Sequence, residues 1–175
     1  MEFIILTSGQ KEQLAPQLWE MMQASDREFI PPLSSRSSTT QADLTGKNTV
    51  EDGLQLYFSQ MMQQQILAAM EGERLLSYVS YRENYICPEI GEDTHPNIYL
   101  STLISRPETR GKGLTKQLYD HLFNTCYPDR SIFTRTWSTN AAHIRIFDKF
   151  GFSLLCRKEN DRGPGLDTVY FSLKR

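Results

Sequence analysis

Apolar positions recur along this chain with two alternating periods, and the switch points between them predict its elements. Phe3 to Leu6 reads as a first strand, and Lys11 to Ala24 places Leu14, Leu18 and Met21 on one stripe of a helix. Ser25 to Thr40 is rich in Ser, Thr and Pro and reads as an ordered loop. From Glu51 to Gln63 the helical spacing returns, with Leu54, Tyr57, Phe58 and Met61 or Met62 on the buried side. Strands follow at Gln65 to Met70 and Arg74 to Glu83, joined by the turn Glu71-Gly72-Glu73. After an insertion from Asn84 to Pro96, the run Ile98 to Ile104 predicts a strand, which Pro107 prevents from continuing. Leu114, Leu118, Leu122 and Phe123 then predict a helix over 114–126, and Ser131 to Trp137 alternates as a strand. A helix from Asn140 and strands at about 152–159 and 167–174, across the polar loop Glu159 to Gly165, complete the chain. The sum is an α/β fold, a mixed sheet with helices on both faces, in the order β-αα-ββ-β-α-β-α-β-β.

The chemistry sits between the fourth strand and the helix that follows it. Arg106-Pro107-Glu108-Thr109-Arg110-Gly111-Lys112-Gly113-Leu114-Thr115 puts two glycines at the first turn of the 114–126 helix. Backbone N–H groups there have no intrahelical partner, and glycine carries no Cβ to hold a phosphate away. Arg110 and Lys112 add positive charge at the same place. A Walker A loop needs Gly-Lys followed by Ser or Thr and a glycine five positions before that Gly, but Gly113 follows Lys112 and Arg106 stands at the earlier position. A dinucleotide fingerprint needs glycine at 116, which is Lys116.

What remains, Arg110-Gly111-Lys112-Gly113-Leu114-Thr115, resembles the acyl-CoA pyrophosphate loop of the GNAT (GCN5-related N-acetyltransferase) superfamily. Asn140-Ala141-Ala142-His143-Ile144-Arg145-Ile146-Phe147-Asp148-Lys149-Phe150-Gly151-Phe152 is similar to the segment of that family in which Asn opens a helix closed by an aromatic, a lysine and Gly-Phe. Asn140 suits an N-cap, and Gly151 suits the position just past a helix end. The resemblance covers roughly residues 97–175. It implies a sheet splayed at its central strands, with the pantetheine arm of acetyl-CoA in the gap. Backbone groups of Leu103, Ile104 and Ser105 would bond that arm like an added strand. The backbone from Arg110 through Gly111, Lys112, Gly113 and Leu114 to Thr115 would hold the pyrophosphate, and Asn140 and Phe147 would flank the arm near the thioester. The implied activity is transfer of acetyl from acetyl-CoA to a primary amine of a small molecule or peptide by direct attack. The alternatives are an acyl-CoA-binding sensor or interaction protein with weakened catalysis, and a protein that uses the loop for another nucleotide.

Two residues depart from the family pattern. Thr115 stands where Gly or Ala is usual, and its hydroxyl could itself donate to a phosphate. Phe147 stands where many members carry a tyrosine that protonates the departing thiolate. Ser138, Thr139 and Tyr127 are the available substitutes, although a thiol of pKa about 8.5 is a fair leaving group unaided. The incoming ammonium, of pKa about 10.4, needs a base. Glu83 at the end of the third strand is the candidate, followed by Glu89, Asp93 and His95 of the insertion. The family walls the acceptor site with the C-terminal hairpin loop and the loop between the first two helices, and the latter here offers Asp26, Glu28, Phe29, Pro31, Pro32 and Leu33.

Composition narrows the class further. A chain of 175 residues suits one domain spanning 1–175. With 19 basic and 21 acidic residues the net charge is −2, which marks neither a nucleic-acid nor a membrane partner. Cys87, Cys126 and Cys156 are odd in number and widely spaced, so neither a disulfide framework nor a metal site is expected. His121 and His143 lack metal-ligand spacing and read as structural or exposed. The start Met1-Glu2-Phe3-Ile4-Ile5-Leu6 has no signal or spanning segment, and a cytoplasmic location is expected. A homodimer is compatible with this reading.

Overall fold

Thr7 separates the first strand from the first helix by a reciprocal cap: its hydroxyl accepts the Gln10 N–H at 3.3 Å, and Gln10 Oε1 accepts the Thr7 N–H at 2.9 Å. The computed structural model describes residues 1–44, 52–91 and 96–175. Strand β1 (Glu2–Ile5) and helices α1 (Ser8–Ser25) and α2 (Gly53–Met62) are followed by β2 (Gln65–Glu71), β3 (Arg74–Glu83) and β4 (Asn97–Ser105). Helix α3 (Leu114–Asp120), β5 (Ser131–Trp137), α4 (Ala141–Phe150), β6 (Ser153–Lys158) and β7 (Thr168–Leu173) complete the order expected from the periodicity. Glu51, Asp93 and His95 lie outside the described residues.

The helix expected over 114–126 has that extent, but its second half, His121–Cys126, is wound as a π-helix. Leu114, Leu118, Leu122 and Phe123 are all buried, so the wider turn keeps the apolar stripe on the sheet. Helix α4 begins at the Asn140 cap, whose side chain accepts the His143 N–H, and ends at Gly151 in the left-handed region at φ +80. The loop after α1 is ordered by short 3₁₀ turns at Asp26–Glu28 and Leu33–Ser35.

All strands join one sheet in the order β1-β2-β3-β4-β5-β7-β6. Only β4 and β5 run parallel, and they pair from Asn97↔Ser131 to Leu100↔Thr134 and no further. Beyond that point β4 stays paired with β3 and β5 stays paired with β7, so the sheet divides past the Leu100–Thr134 pair. Ser101 falls at a bulge, because Ser80 pairs with Thr102 while Tyr81 pairs with Leu100. The α1 and α2 side of the sheet is filled by Leu18, Met22, Tyr57, Met61 and Tyr78. The α3 and α4 side is filled by Leu118, Tyr119, Phe123, Phe147 and Phe152.

Candidate active site

A cavity of about 340 Å³ occupies the division of the sheet. One wall is β4 from Leu100 to Ser105, and the other is β5 from Thr134 to Trp137. The β5-facing edge of residues 101–105 has no strand beside it, which leaves backbone donors and acceptors available to an extended ligand. Arg110 and Thr115 close one end, with Tyr119, Asn140 and His143 along the side. Phe29 and Arg36 from the loop after α1, together with Arg162 from the β6–β7 loop, close the other, and Glu28 of the loop after α1 reaches across the mouth to Arg110.

The glycine loop is held from below. Arg106 Nε donates to the Leu75 carbonyl at 2.7 Å, Arg106 Nη2 reaches Glu20 at 3.1 Å, and the Thr109 hydroxyl donates to the Arg106 carbonyl at 2.7 Å. Gly111 and Gly113 adopt φ +72 and +77, and a Cβ on either would meet nothing within 4 Å. The turn therefore faces open space at the start of α3, which suits an anion approaching backbone N–H groups. Ser77 and Ser105 hydroxyls lie 2.7 Å apart, and Thr115 Oγ1 is 3.5 Å from Ser105 Oγ, so a short row of hydroxyls joins this turn to β4.

Leu103, Ile104, Ser105, Arg110, Thr115 and Asn140 line the cavity, as do Glu28 and Phe29. Gly111, Lys112 and Gly113 sit on the adjoining turn, while Leu114 points into the core. Asp26 is an internal brace: its carboxylate accepts the Ser34 N–H at 2.7 Å and the Ser34 hydroxyl at 2.8 Å. Pro31 and Pro32 offer carbonyls to Arg36 and Ser35, and Leu33 is buried.

Glu83, Tyr127, Glu89 and Phe147 stand elsewhere. Glu83 pairs with Ile98 at the start of β4, because β3 and β4 are antiparallel, and this is the closed end of the sheet. There it meets Arg130 at 2.8 Å and accepts from the Tyr127 hydroxyl at 3.0 Å, so neither Glu83 nor Tyr127 reaches the cavity. Glu89 is paired with Lys158. Phe147 does not line the cavity either; it is fully buried against Phe152 and Phe171, with centroids at 5.1 and 5.2 Å. The helical stripe of α4 points it into the core.

The wall at that level is made by Tyr119 and His143, which sequence reasoning did not pair. Tyr119 Oη lies 2.7 Å from His143 Nε2, and their rings stack at 5.8 Å. Burial pushes the His143 imidazole down to about 4 and raises the Tyr119 phenol, so both are neutral at pH 7. Among the described residues that line the cavity, Glu28 is the carboxylate, and Arg110 Nη2 lies 2.9 Å from it. No group of His, Cys, Asp and Glu suited to a metal ion occurs among the described residues, and none of their helices is long and apolar enough to cross a membrane.

The family model of the acetyltransferase (GNAT) family matches residues 19–152. No curated protein sequence matches the chain significantly. The fold is shared with a ribosomal-protein-alanine N-acetyltransferase from Brucella melitensis, at 14% identity and TM-score 0.67 over 100% of both chains. An N-acetyltransferase from Staphylococcus aureus is similar at 16% identity and TM-score 0.65, over 99% of this chain and 97% of the other. A Salmonella typhimurium protein assigned as an acetyltransferase, solved with its cofactor acetyl-CoA, is similar at 17% identity and TM-score 0.64 over 99% and 93%. With its glycine loop at the start of α3, its Asn-capped α4, its divided sheet and this match, the chain belongs to the acetyltransferase (GNAT) family.

Proposed function

We propose that the protein transfers an acetyl group from acetyl-CoA to a primary amine by direct attack. The observation that carries this reading is one continuous cavity from the glycine loop at Arg110 and Thr115, through the gap between β4 and β5, to the loops at Phe29 and Arg162. A phosphate-bearing chain enters at one end and an acceptor at the other, so the two meet between the strands. The Arg110–Thr115 turn would hold the pyrophosphate, and the free edge of Leu103 to Ser105 would bond the pantetheine amides.

The amine nitrogen forms a bond to the thioester carbonyl carbon, the C–S bond breaks, and the nitrogen's proton ends on the sulfur. Backbone N–H groups on the unpaired β4 edge stabilise the oxyanion that develops. Glu28 is the group positioned to accept the proton that the ammonium loses before attack. Tyr119, which lines the cavity, carries a hydroxyl that Phe147 lacks, paired with His143 Nε2 at 2.7 Å. With its phenol raised by burial, it acts as a hydrogen-bond donor to the departing sulfur rather than as a strong acid. Acetyl-CoA incubated with a panel of amines should release free thiol in step with acetylated amine. Tight CoA binding without thiol release from any amine would instead favour the sensor reading, which Phe147 motivates.

A further inference from the structure

Three guanidinium groups from distant parts of the chain converge on the acceptor end of the cavity. Arg36 comes from the loop after α1, Arg135 from β5 and Arg162 from the β6–β7 loop, and all three line it. Arg36 and Arg162 are only 6% and 5% exposed. Elsewhere in the protein, Arg74, Arg106, Arg110, Arg130 and Arg157 each pair with a carboxylate. Among the described residues, no salt bridge joins Arg36, Arg135 or Arg162 to one.

Their hydrogen bonds fix the forks without neutralising them. Arg36 donates twice to the Pro31 carbonyl, at 3.1 and 2.8 Å. Arg135 donates to the Gln41 carbonyl at 2.7 Å and to the Tyr170 hydroxyl at 3.3 Å. Arg162 donates to Thr168 Oγ1 at 2.9 Å and to the Ile30 carbonyl. A guanidinium has five N–H donors, and among the described residues Arg135 Nε and Arg162 Nη2 donate to no protein acceptor. Aromatic faces hold two of the planes: Arg162 lies over Trp137 at 5.9 Å and Arg36 over Phe29 at 5.6 Å. Burial, and then repulsion by Arg36 and Arg135, lowers the Arg162 pKa to about 9. All three therefore stay charged at neutral pH, inside a cavity whose one carboxylate among the described residues, Glu28, is held by Arg110.

Asp161 is the nearby carboxylate, but its Oδ2 accepts from the Thr168 hydroxyl at 2.5 Å and makes no direct ion pair with Arg162. Buried like charges that are not directly paired are costly, and the guanidinium fork matches the two oxygens of a carboxylate or phosphate. The cluster is also apart from the cofactor turn. By strand alternation, Arg135 faces away from Thr136, whose hydroxyl meets Asn140 at the start of α4, and toward the loop after α1.

We propose that Arg36, Arg135 and Arg162 form an oxyanion site, so that the acceptor is a small amine also bearing a carboxylate or phosphate. The amine half of this statement rests on the acetyltransferase reading above; the anion site does not. The cavity, about 340 Å³, must also admit the end of the pantetheine arm, which favours a small acceptor.

Calorimetric titration of inorganic sulfate into protein already saturated with CoA tests the site, because the glycine turn is then occupied. We expect single-site binding that weakens at least tenfold in Arg162→Gln. Arg135→Gln serves as an independent variant should loss of the Arg162 bonds unfold the loop. No sulfate binding to the saturated wild type, or equal binding in both folded variants, would overturn the proposal. Thiol release from acetyl-CoA is then compared within matched pairs: an amino acid and its decarboxylated amine, ethanolamine phosphate and ethanolamine. The anionic member should react at least tenfold faster, in the carboxylate pair or the phosphate pair. Equal rates or a preference for the member without the carboxylate or phosphate would defeat the acceptor assignment. Sulfate binding with no thiol release from any amine would keep the anion site and remove the acetyltransferase reading.

Discussion

Arg110 Nη2 lies 2.9 Å from Glu28 Oε2, so an arginine of the glycine turn is held by the carboxylate of the opposite loop across the mouth of the cavity. Both side chains are about half exposed, at 43% and 50%, so the pair contributes little to stability, about 0.2–1 kcal/mol. The pair links the glycine turn to the loop after α1, and on the proposed reading a pyrophosphate that took up Arg110 would free Glu28 to serve the acceptor. Glu28→Gln should therefore change the CoA dissociation constant by no more than about threefold while lowering kcat roughly 10²-fold near pH 7. The deficit should shrink at high pH, where the amine is already neutral. Superimposable pH–rate profiles for variant and wild type would remove Glu28 from the role of base.

The Tyr119–His143 pair gives the fold a pH dependence. The His143 pKa falls from an unfolded value of about 6.5 to about 4 in the folded protein, because burial disfavours the imidazolium. The unfolded chain thus binds the proton first as pH drops, and stability present above about pH 6.5 is lost progressively toward pH 4. His143 is half-buried and lines the cavity, so the loss should be on the order of 1–3 kcal/mol. Urea unfolding at a series of pH values should show this slope in the wild type and a flatter one in a folded His143→Gln variant. Equal slopes would mean that His143 is hydrated enough to titrate normally.

Gly113 and Gly151 provide a matched comparison. Both sit in the left-handed region, at φ +77 and +80, and both have open space where a Cβ would go. Alanine at either should cost about 1–2 kcal/mol of stability. Only Gly113→Ala places a methyl group at the turn read as the phosphate cradle, so it should weaken CoA at least tenfold while Gly151→Ala leaves CoA binding unchanged. Equal CoA affinity in the two variants would move the cradle elsewhere.

Phe147 is fully buried among Tyr119, Phe152 and Phe171. A hydroxyl added by Phe147→Tyr must find a partner in that apolar setting or cost about 1–3 kcal/mol. We expect a lower melting temperature and an unchanged or reduced kcat. A tenfold rise in kcat with unchanged CoA binding would show instead that leaving-group protonation limits the rate and that the natural protein lacks its donor.

Strand and helix positions were legible because burial on a sheet or along a helix imposes a period on the residues. β3 spans Arg74–Glu83 and β5 spans Ser131–Trp137, the ranges their alternation indicates. Period says which face a residue occupies, but not which strand lies beside it. Glu83 could therefore be placed at a strand end from sequence, yet only antiparallel pairing with β4 shows that this end is closed. Phe147 carried a family position, but the stripe of α4 turns it into the core. Tyr119 and His143 are separated by 24 residues, and Arg36, Arg135 and Arg162 lie on three unconnected segments. No local pattern joins such residues; the fold does. The glycine turn and the Asn140 cap were legible for the opposite reason, since both are built from consecutive residues with strong backbone preferences.

The central claim is that the gap between β4 and β5 receives the acyl-CoA arm, and paired calorimetric and thermal titrations with acetyl-CoA and with ATP test it most directly. A ligand at a hundredfold excess over its dissociation constant stabilises the native state by about 2.7 kcal/mol, which raises the melting temperature of a chain this size by several degrees. We expect that rise with acetyl-CoA and little or none with ATP, which has phosphates for the turn but no pantetheine arm for the gap. A rise with ATP and none with acetyl-CoA would contradict the claim.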